Sequence, residues 1–348
     1  MENSNFSRRK FIKGTIGTGL LMAGSGLLPS CNIFRLSKSE SIYDAKGLPT
    51  VVLGKTGVPF PRILSGLGSR FCHIYNDEEA QRLLHYLLDQ GLYYWDTAWA
   101  YDNTLGLPPG KKQNPRLIAS EDRLGQVVEV RRKEIFLSTK VTSRDPSEAM
   151  RQLETSLKRL RTDHVDQLMI HDVTTLADVD KLSEKGNLID LLHKLKEQGL
   201  TRFIGFSGHS AAAAMKAMIE RGDFDTMLIA MNHWNAAKNP QNRVEMAIPA
   251  AKEKGMGVIL MKVVRPRETI KHLKANDLVR YALSLKGPDV ILLGLDSIEV
   301  VDSNLEILRN FKPMDEEKMK EMAQELTPFF NHENLPWMQS GYTDGNYA

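Results

Sequence analysis

Cysteine is scarce in this chain: 348 residues hold two, Cys31 and Cys72. Two thiols cannot build a zinc ribbon or a four-cysteine iron–sulfur site. An excess of one charge is lacking too. The formal net charge of +3 sits at the front. Residues 1–30 carry Arg8, Arg9, Lys10 and Lys13 against Glu2, and the remainder holds equal numbers of basic and acidic residues. The electrostatic footprint of nucleic-acid binding is therefore missing. The apolar stretch from Gly14 to Leu28 is broken by glycines. It falls short of the roughly 20 residues that a membrane-spanning helix needs. No G-x-G-x-x-G loop follows the first strand of the main body, which argues against a doubly wound dinucleotide fold. No histidine pair stands at metal-ligand spacing on the strand ends, which argues against a metal hydrolase.

What is present begins with an address. Ser7-Arg8-Arg9-Lys10-Phe11-Ile12-Lys13 precedes the weakly apolar run and resembles a twin-arginine export signal. Such a signal is read by a receptor and is not an anchor. That pathway moves folded proteins, often with a cofactor bound. The expected partner is the twin-arginine machinery, and the expected location is outside the cytoplasm, in the periplasm or on a membrane. Leu28-Pro29-Ser30-Cys31 resembles a lipoprotein cleavage box, although Pro29 is an unusual member. The competing reading is ordinary signal cleavage nearby. A lipid on Cys31 would be the one membrane attachment. Residues 32–49 read as a polar tether.

From about residue 50 strand and helix signals alternate. "TVVLGKTGVPFPRIL" predicts a small hairpin turning at Gly54 and Gly57. Eight short apolar runs follow: "ILSGLG", "YYWD", "EIFLSTK", "VDQLMIH", "FIGFSG", "MLIAMN", "GVILMK" and "VILLG". Each precedes a helical segment. Asp145-Pro146 with Glu148 gives a well-signalled helix start. Strands apolar on both faces and too far apart for hairpins belong in a parallel sheet covered by helices. Eight such units predict one (β/α)8 TIM barrel over residues 50–325, with a short N-terminal hairpin and an extra C-terminal helix. Residues 326–348 read as a tail.

In such barrels chemistry gathers at the C-terminal ends of the strands. Asp96 closes the second strand, Lys140 the third and His171 the fourth, and Tyr101 lies just after Asp96. Singly, each has an ordinary structural explanation. Together they fit the interconversion of a carbonyl and an alcohol. A carbonyl receiving hydride must also receive a proton, and a tyrosine can donate it if a nearby cation makes the phenolate accessible. Lys140 suits that task, and Asp96 would keep a buried lysine charged. His171 would hydrogen-bond the carbonyl oxygen and orient it.

The stretches "WDTAWAY", "SEDRLGQ", "IFLSTKV", "VDQLMIHD", "RFIGFSGHS", "VILMK" and "VILLGLDSIEVVDSNL" resemble the aldo-keto reductase family over about residues 50–325. The resemblance implies that Asp96, Tyr101, Lys140 and His171 form its catalytic tetrad. It implies a nicotinamide cofactor, NAD or NADP, extended across the barrel mouth without a Rossmann motif. Ser207 matches a serine that holds the carboxamide, but its usual asparagine neighbour is Gly208. The usual glutamine falls at Leu228, and Met261 stands where many members stack an aromatic ring. Asn232 and Lys262 match polar positions near the cofactor, and Asn304 matches the adenine-contacting asparagine. Members that use NADP often place a lysine and an arginine against the 2′-phosphate; those positions fall at Gly294 and Val300. With Asp296 nearby, this favours NAD, unless Arg265 or Arg267 reverses it. The loop after Tyr101 is longer than the family's turn. Trp99, His233, Trp234 and the tail's Trp337 are candidates to shape a site for a sugar-like substrate.

Free nicotinamide cofactor is scarce outside the cytoplasm. Export in folded form would let a tightly held cofactor travel with the protein. The alternative from a different class is a non-catalytic, sugar-binding lipoprotein on a barrel scaffold.

Overall fold

A computed structural model describes residues 43–105, 112, 114–209, 212–231, 243–331, 335, 337 and 339. The export signal, Cys31 and most of the tether lie outside the described residues. A two-stranded antiparallel hairpin opens the fold, β1 (Thr50–Val52) against β2 (Pro59–Pro61). Eight parallel strands then close into a barrel: β3 (Ile63–Gly66), β4 (Tyr94–Asp96), β5 (Phe136–Val141), β6 (Val165–Ile170), β7 (Thr201–Gly208), β8 (Thr226–Ala230), β9 (Gly257–Met261) and β10 (Val290–Gly294). They neighbour one another in chain order, and β10 pairs with both β9 and β3 to close the ring. The barrel, the hairpin and the terminal helix Glu316–Glu325 match the expected architecture.

The local rules read from the chain are the ones at work. Asn76 caps the helix Asp77–Asp89 by accepting from the Glu78 N–H. That helix turns Ala80, Leu83, Leu84, Leu87 and Leu88 inward. Each large side chain so buried stabilises the fold by about 1.5–3 kcal/mol. Asp145 caps Pro146–Arg159 in the same way, accepting from Glu148 N–H at 2.8 Å.

The N-terminal end of the barrel is a plug. Phe60 of the hairpin is fully buried and packs edge-on against Tyr94 (5.3 Å) and Phe136 (4.8 Å), the first residues of β4 and β5. At Gly54 (φ +49°) a Cβ would meet the Gly257 nitrogen at 2.1 Å, so only glycine lets the turn lie on the start of β9. The segment Tyr43–Pro49, expected as the end of the tether, joins this plug. Tyr43 stacks on Tyr93 at 5.0 Å and donates its hydroxyl to Asp166 at 3.0 Å. Asp166 also accepts from Arg202 and from the Leu137 N–H, and forms an ion pair with Arg132. Every partner of that buried carboxylate is structural, as befits this end of a barrel.

Candidate active site

Asp96 is the last residue of β4, Lys140 the fifth residue of β5, and His171 the first residue past β6. All three are buried at the C-terminal mouth. The Lys140 ammonium donates to Asp96 Oδ2 at 2.5 Å and to the Thr97 carbonyl at 2.8 Å. Ser138 donates to the other Asp96 oxygen at 3.3 Å. The same ammonium lies 5.0 Å from the centre of the Tyr101 ring. The Tyr101 and His171 rings meet edge to face at 5.5 Å. Thus the four residues expected at the strand ends are brought together. Gly68, on the loop after β3, makes room for the tyrosine: a Cβ there would stand 3.2 Å from its ring.

Electrostatics explains the order of this cluster. Burial pushes the Asp96 carboxyl above its ordinary range, and the charge and hydrogen bond of Lys140 pull it back. Neither partner of so buried a pair tolerates loss of the other. Lys140 is held in turn by its strand. Thr139 beside it donates to the buried Glu121 at 2.7 Å, and burial raises that carboxyl as well.

A cleft adjoins the cluster. Asp96 and Tyr101 line it together with Arg70, Leu228, Met261, Lys262, Arg265 and Gly294. It encloses about 830 Å³ of empty space, part of it open to solvent. Three cationic side chains and a glycine-lined wall suit the phosphates of a dinucleotide, so the residues present fit a nicotinamide cofactor. Lys262 carries φ +61°, a left-handed backbone that a lysine rarely adopts.

The remaining candidates fall in several places. Leu228, Met261, Lys262 and Gly294 line the cleft. Ser207 and Asn304 are buried, and neither is among the described residues lining it. The Ser207 hydroxyl accepts from the Asp172 N–H at 2.9 Å. Trp99 is half-buried, and its backbone is pinned behind Lys140: its N–H donates to the Lys140 carbonyl at 3.1 Å. Asn232, His233 and Trp234 lie outside the described residues. At Gly208 a Cβ would stand 2.2 Å from Met215 Sδ and 3.0 Å from the Val173 carbonyl. An asparagine there would require Met215 to move and the Val173 carbonyl to give way.

Two features escaped the sequence. Arg70, four residues past the end of β3, pairs with Asp296 at 3.4 Å and runs its side chain over Gly294. The negative charge expected from Asp296 is therefore offset by a guanidinium. The second feature joins three segments. His209, buried just past β7, bonds Asp172 at 2.7 Å through Nδ1, and Trp337 of the tail packs on its ring at 5.9 Å. The one available signal was position, because Arg70, Asp172 and His209 all follow strand ends.

A barrel with a buried Asp–Lys pair beside a tyrosine and a histidine at its mouth defines a class, and comparison with known proteins agrees. The model of the Aldo/keto reductase family matches residues 65–266, more than half of the chain. The chain belongs to that family, whose members are enzymes that interconvert carbonyls and alcohols with NAD(P). It is 24% identical over 327 residues to L-galactose dehydrogenase of Arabidopsis thaliana, covering 82% of this chain and 95% of that one. It is 33% identical over 172 residues to an aldo-keto reductase of Mycolicibacterium vanbaalenii, covering 48% and 52%. Among solved structures, the holo form of an aldo-keto reductase from Bacillus halodurans superposes with a TM-score of 0.61 at 20% identity, covering 80% and 96%. That likeness concerns the fold.

Proposed function

We propose that this protein is an NAD(P)-dependent oxidoreductase of a sugar-like carbonyl and alcohol pair, with Tyr101 as its general acid and base. The observation that carries the reading is the Lys140 ammonium, bonded to Asp96 at 2.5 Å and 5.0 Å from the Tyr101 ring. When bound, the nicotinamide supplies or takes up the hydride. In reduction the phenol of Tyr101 gives its proton to the carbonyl oxygen as the carbon–hydrogen bond forms. Lys140 stabilises the phenolate left behind, and solvent restores the proton. Asp96 keeps Lys140 charged. His171 directs the oxygen toward Tyr101. Oxidation of the alcohol runs through the same residues in reverse. The sugar class is supported by the similarity to an L-galactose dehydrogenase along most of both chains.

The same reading has the barrel exported in folded form by the twin-arginine route, with lipid attached at Cys31. It rests on "SRRKFIK" and "LPSC". A cofactor carried along would serve as a prosthetic group, so mass spectrometry of denatured, natively exported protein should find a nicotinamide nucleotide at one per chain.

The decisive test of the chemistry is Tyr101→Phe. Turnover of an aldose should fall by about 10²–10⁴-fold, the usual worth of general acid catalysis. Nucleotide affinity should stay as it was. Turnover within a few fold of the parent protein would refute the role, and would leave a binding scaffold as the better account.

A further inference from the structure

We infer that Arg70 is the phosphate-binding arm of the cleft, held by Asp296 until a nucleotide phosphate takes its place. The inference rests on the reading of this cleft as a dinucleotide site. Three cations line it, and they are not equivalent. Arg265 is buried and pairs with Glu268 three residues on. Lys262 sits on a left-handed backbone next to β9, which fixes where its stem begins. Arg70 differs from both. Its side chain is 40% exposed and its contact with Asp296 is long, at 3.4 Å. An exposed ion pair of this kind is worth little on its own.

Geometry explains how Arg70 reaches the site. It follows β3, and β3 pairs with β10 where the barrel closes, with Gly66 opposite Gly294. Gly294 has no side chain, and the atom nearest to a Cβ built there is Arg70 Cδ at 3.3 Å. The arginine stem therefore lies across the end of β10 and points its guanidinium at Asp296, two residues further on. A planar guanidinium grips phosphate oxygens through paired hydrogen bonds and binds a phosphate better than one distant carboxylate oxygen. The preference for NAD read from Gly294, Val300 and Asp296 allowed for reversal by Arg265 or Arg267 but not by Arg70. It omitted a cation arriving from the other side of the closure.

Two phosphates of a dinucleotide are open to this arm, the bridging diphosphate and the 2′-phosphate of NADP. Titration of purified full-length protein with NAD and with NADP, read by tryptophan fluorescence, separates them. Arg70→Ala should raise Kd about tenfold or more, equal to ~1.4 kcal/mol. A rise for both nucleotides assigns the arm to the bridging diphosphate. A rise for NADP alone assigns it to the 2′-phosphate. Asp296→Asn removes the competing carboxylate and should tighten the same nucleotide. Unchanged Kd values in Arg70→Ala, or weaker binding in both variants at an unchanged unfolding midpoint, would overturn the inference. If the parent protein bound neither nucleotide, the dinucleotide reading of the cleft would fall with it.

Discussion

Replacing Asp96 by asparagine tests the centre of the site most sharply. The Lys140 and Asp96 side chains are 1% and 3% exposed. The amide would keep the shape and part of the hydrogen bonding while removing the charge, leaving a buried ammonium without its counter-ion. Breaking a buried pair from one side costs about 3–5 kcal/mol. At about 1.6 °C per kcal/mol, from an unfolding entropy of about 2.1 cal/mol/K per residue over roughly 300 folded residues, the melting temperature should drop by about 5–8 °C. Lys140 would relieve part of that cost by losing its proton, and Tyr101 would then lack a cation. Turnover should fall with stability. The double variant Asp96→Leu with Lys140→Met separates the two effects. Replacing both charges by apolar groups of similar volume is often neutral or stabilising. The double variant should therefore recover most of the melting temperature and none of the turnover. Thermal unfolding and steady-state reduction of an aldose read the two quantities. An Asp96→Asn protein with normal stability and normal turnover would refute the pairing as the source of either.

Two further outcomes follow from the packing around the site. Burial raises the Glu121 carboxyl, so its favourable contribution is fully present below the ordinary glutamate range and is lost as pH rises through the folded value. Urea unfolding from pH 4.5 to 7.5 should therefore show the parent protein losing stability relative to Glu121→Gln as pH rises; an unchanged difference would refute this. Gly208→Asn restores the residue expected from the family, yet its Cβ would collide with Met215 and the Val173 carbonyl. It should cost about 1–3 kcal/mol of stability, as overpacking does, and should not tighten nucleotide binding.

The barrel was legible because its signals are local. Each strand is an apolar run, and a polar residue at or beside the end of such a run is visible in one dimension. Asp96, Lys140 and His171 were found in this way, and the sheet then placed them side by side. The signals that failed are three-dimensional. Arg70 matters because Gly294, far along the chain, leaves space beside it where β10 meets β3. At Gly208, Met215 Sδ stands in the volume that a side chain would need, a neighbour that only the fold reveals. His209 carries no mark in the sequence, and its burial comes from Asp172 and Trp337, which meet it only in the fold. Tyr43 read as tether because nothing nearby in sequence announces Tyr93 and Asp166 as its partners.

The two ends of the barrel use buried charge in opposite ways. At the plug, Asp166 accepts from Tyr43, Arg202 and the Leu137 backbone and pairs with Arg132. A carboxylate so surrounded has little capacity left for a ligand, and it ties three strands and the N-terminal segment together. At the mouth, Asp96 is bound chiefly to one ammonium and one hydroxyl. The ammonium lies near a tyrosine ring, and a cleft opens beside it. The difference lies in what each charge faces. A charge surrounded by donors stabilises a fold, whereas one whose partner also faces a titratable phenol can follow a proton. On that ground the chemistry belongs to the Asp96 end, although both ends bury charge equally well.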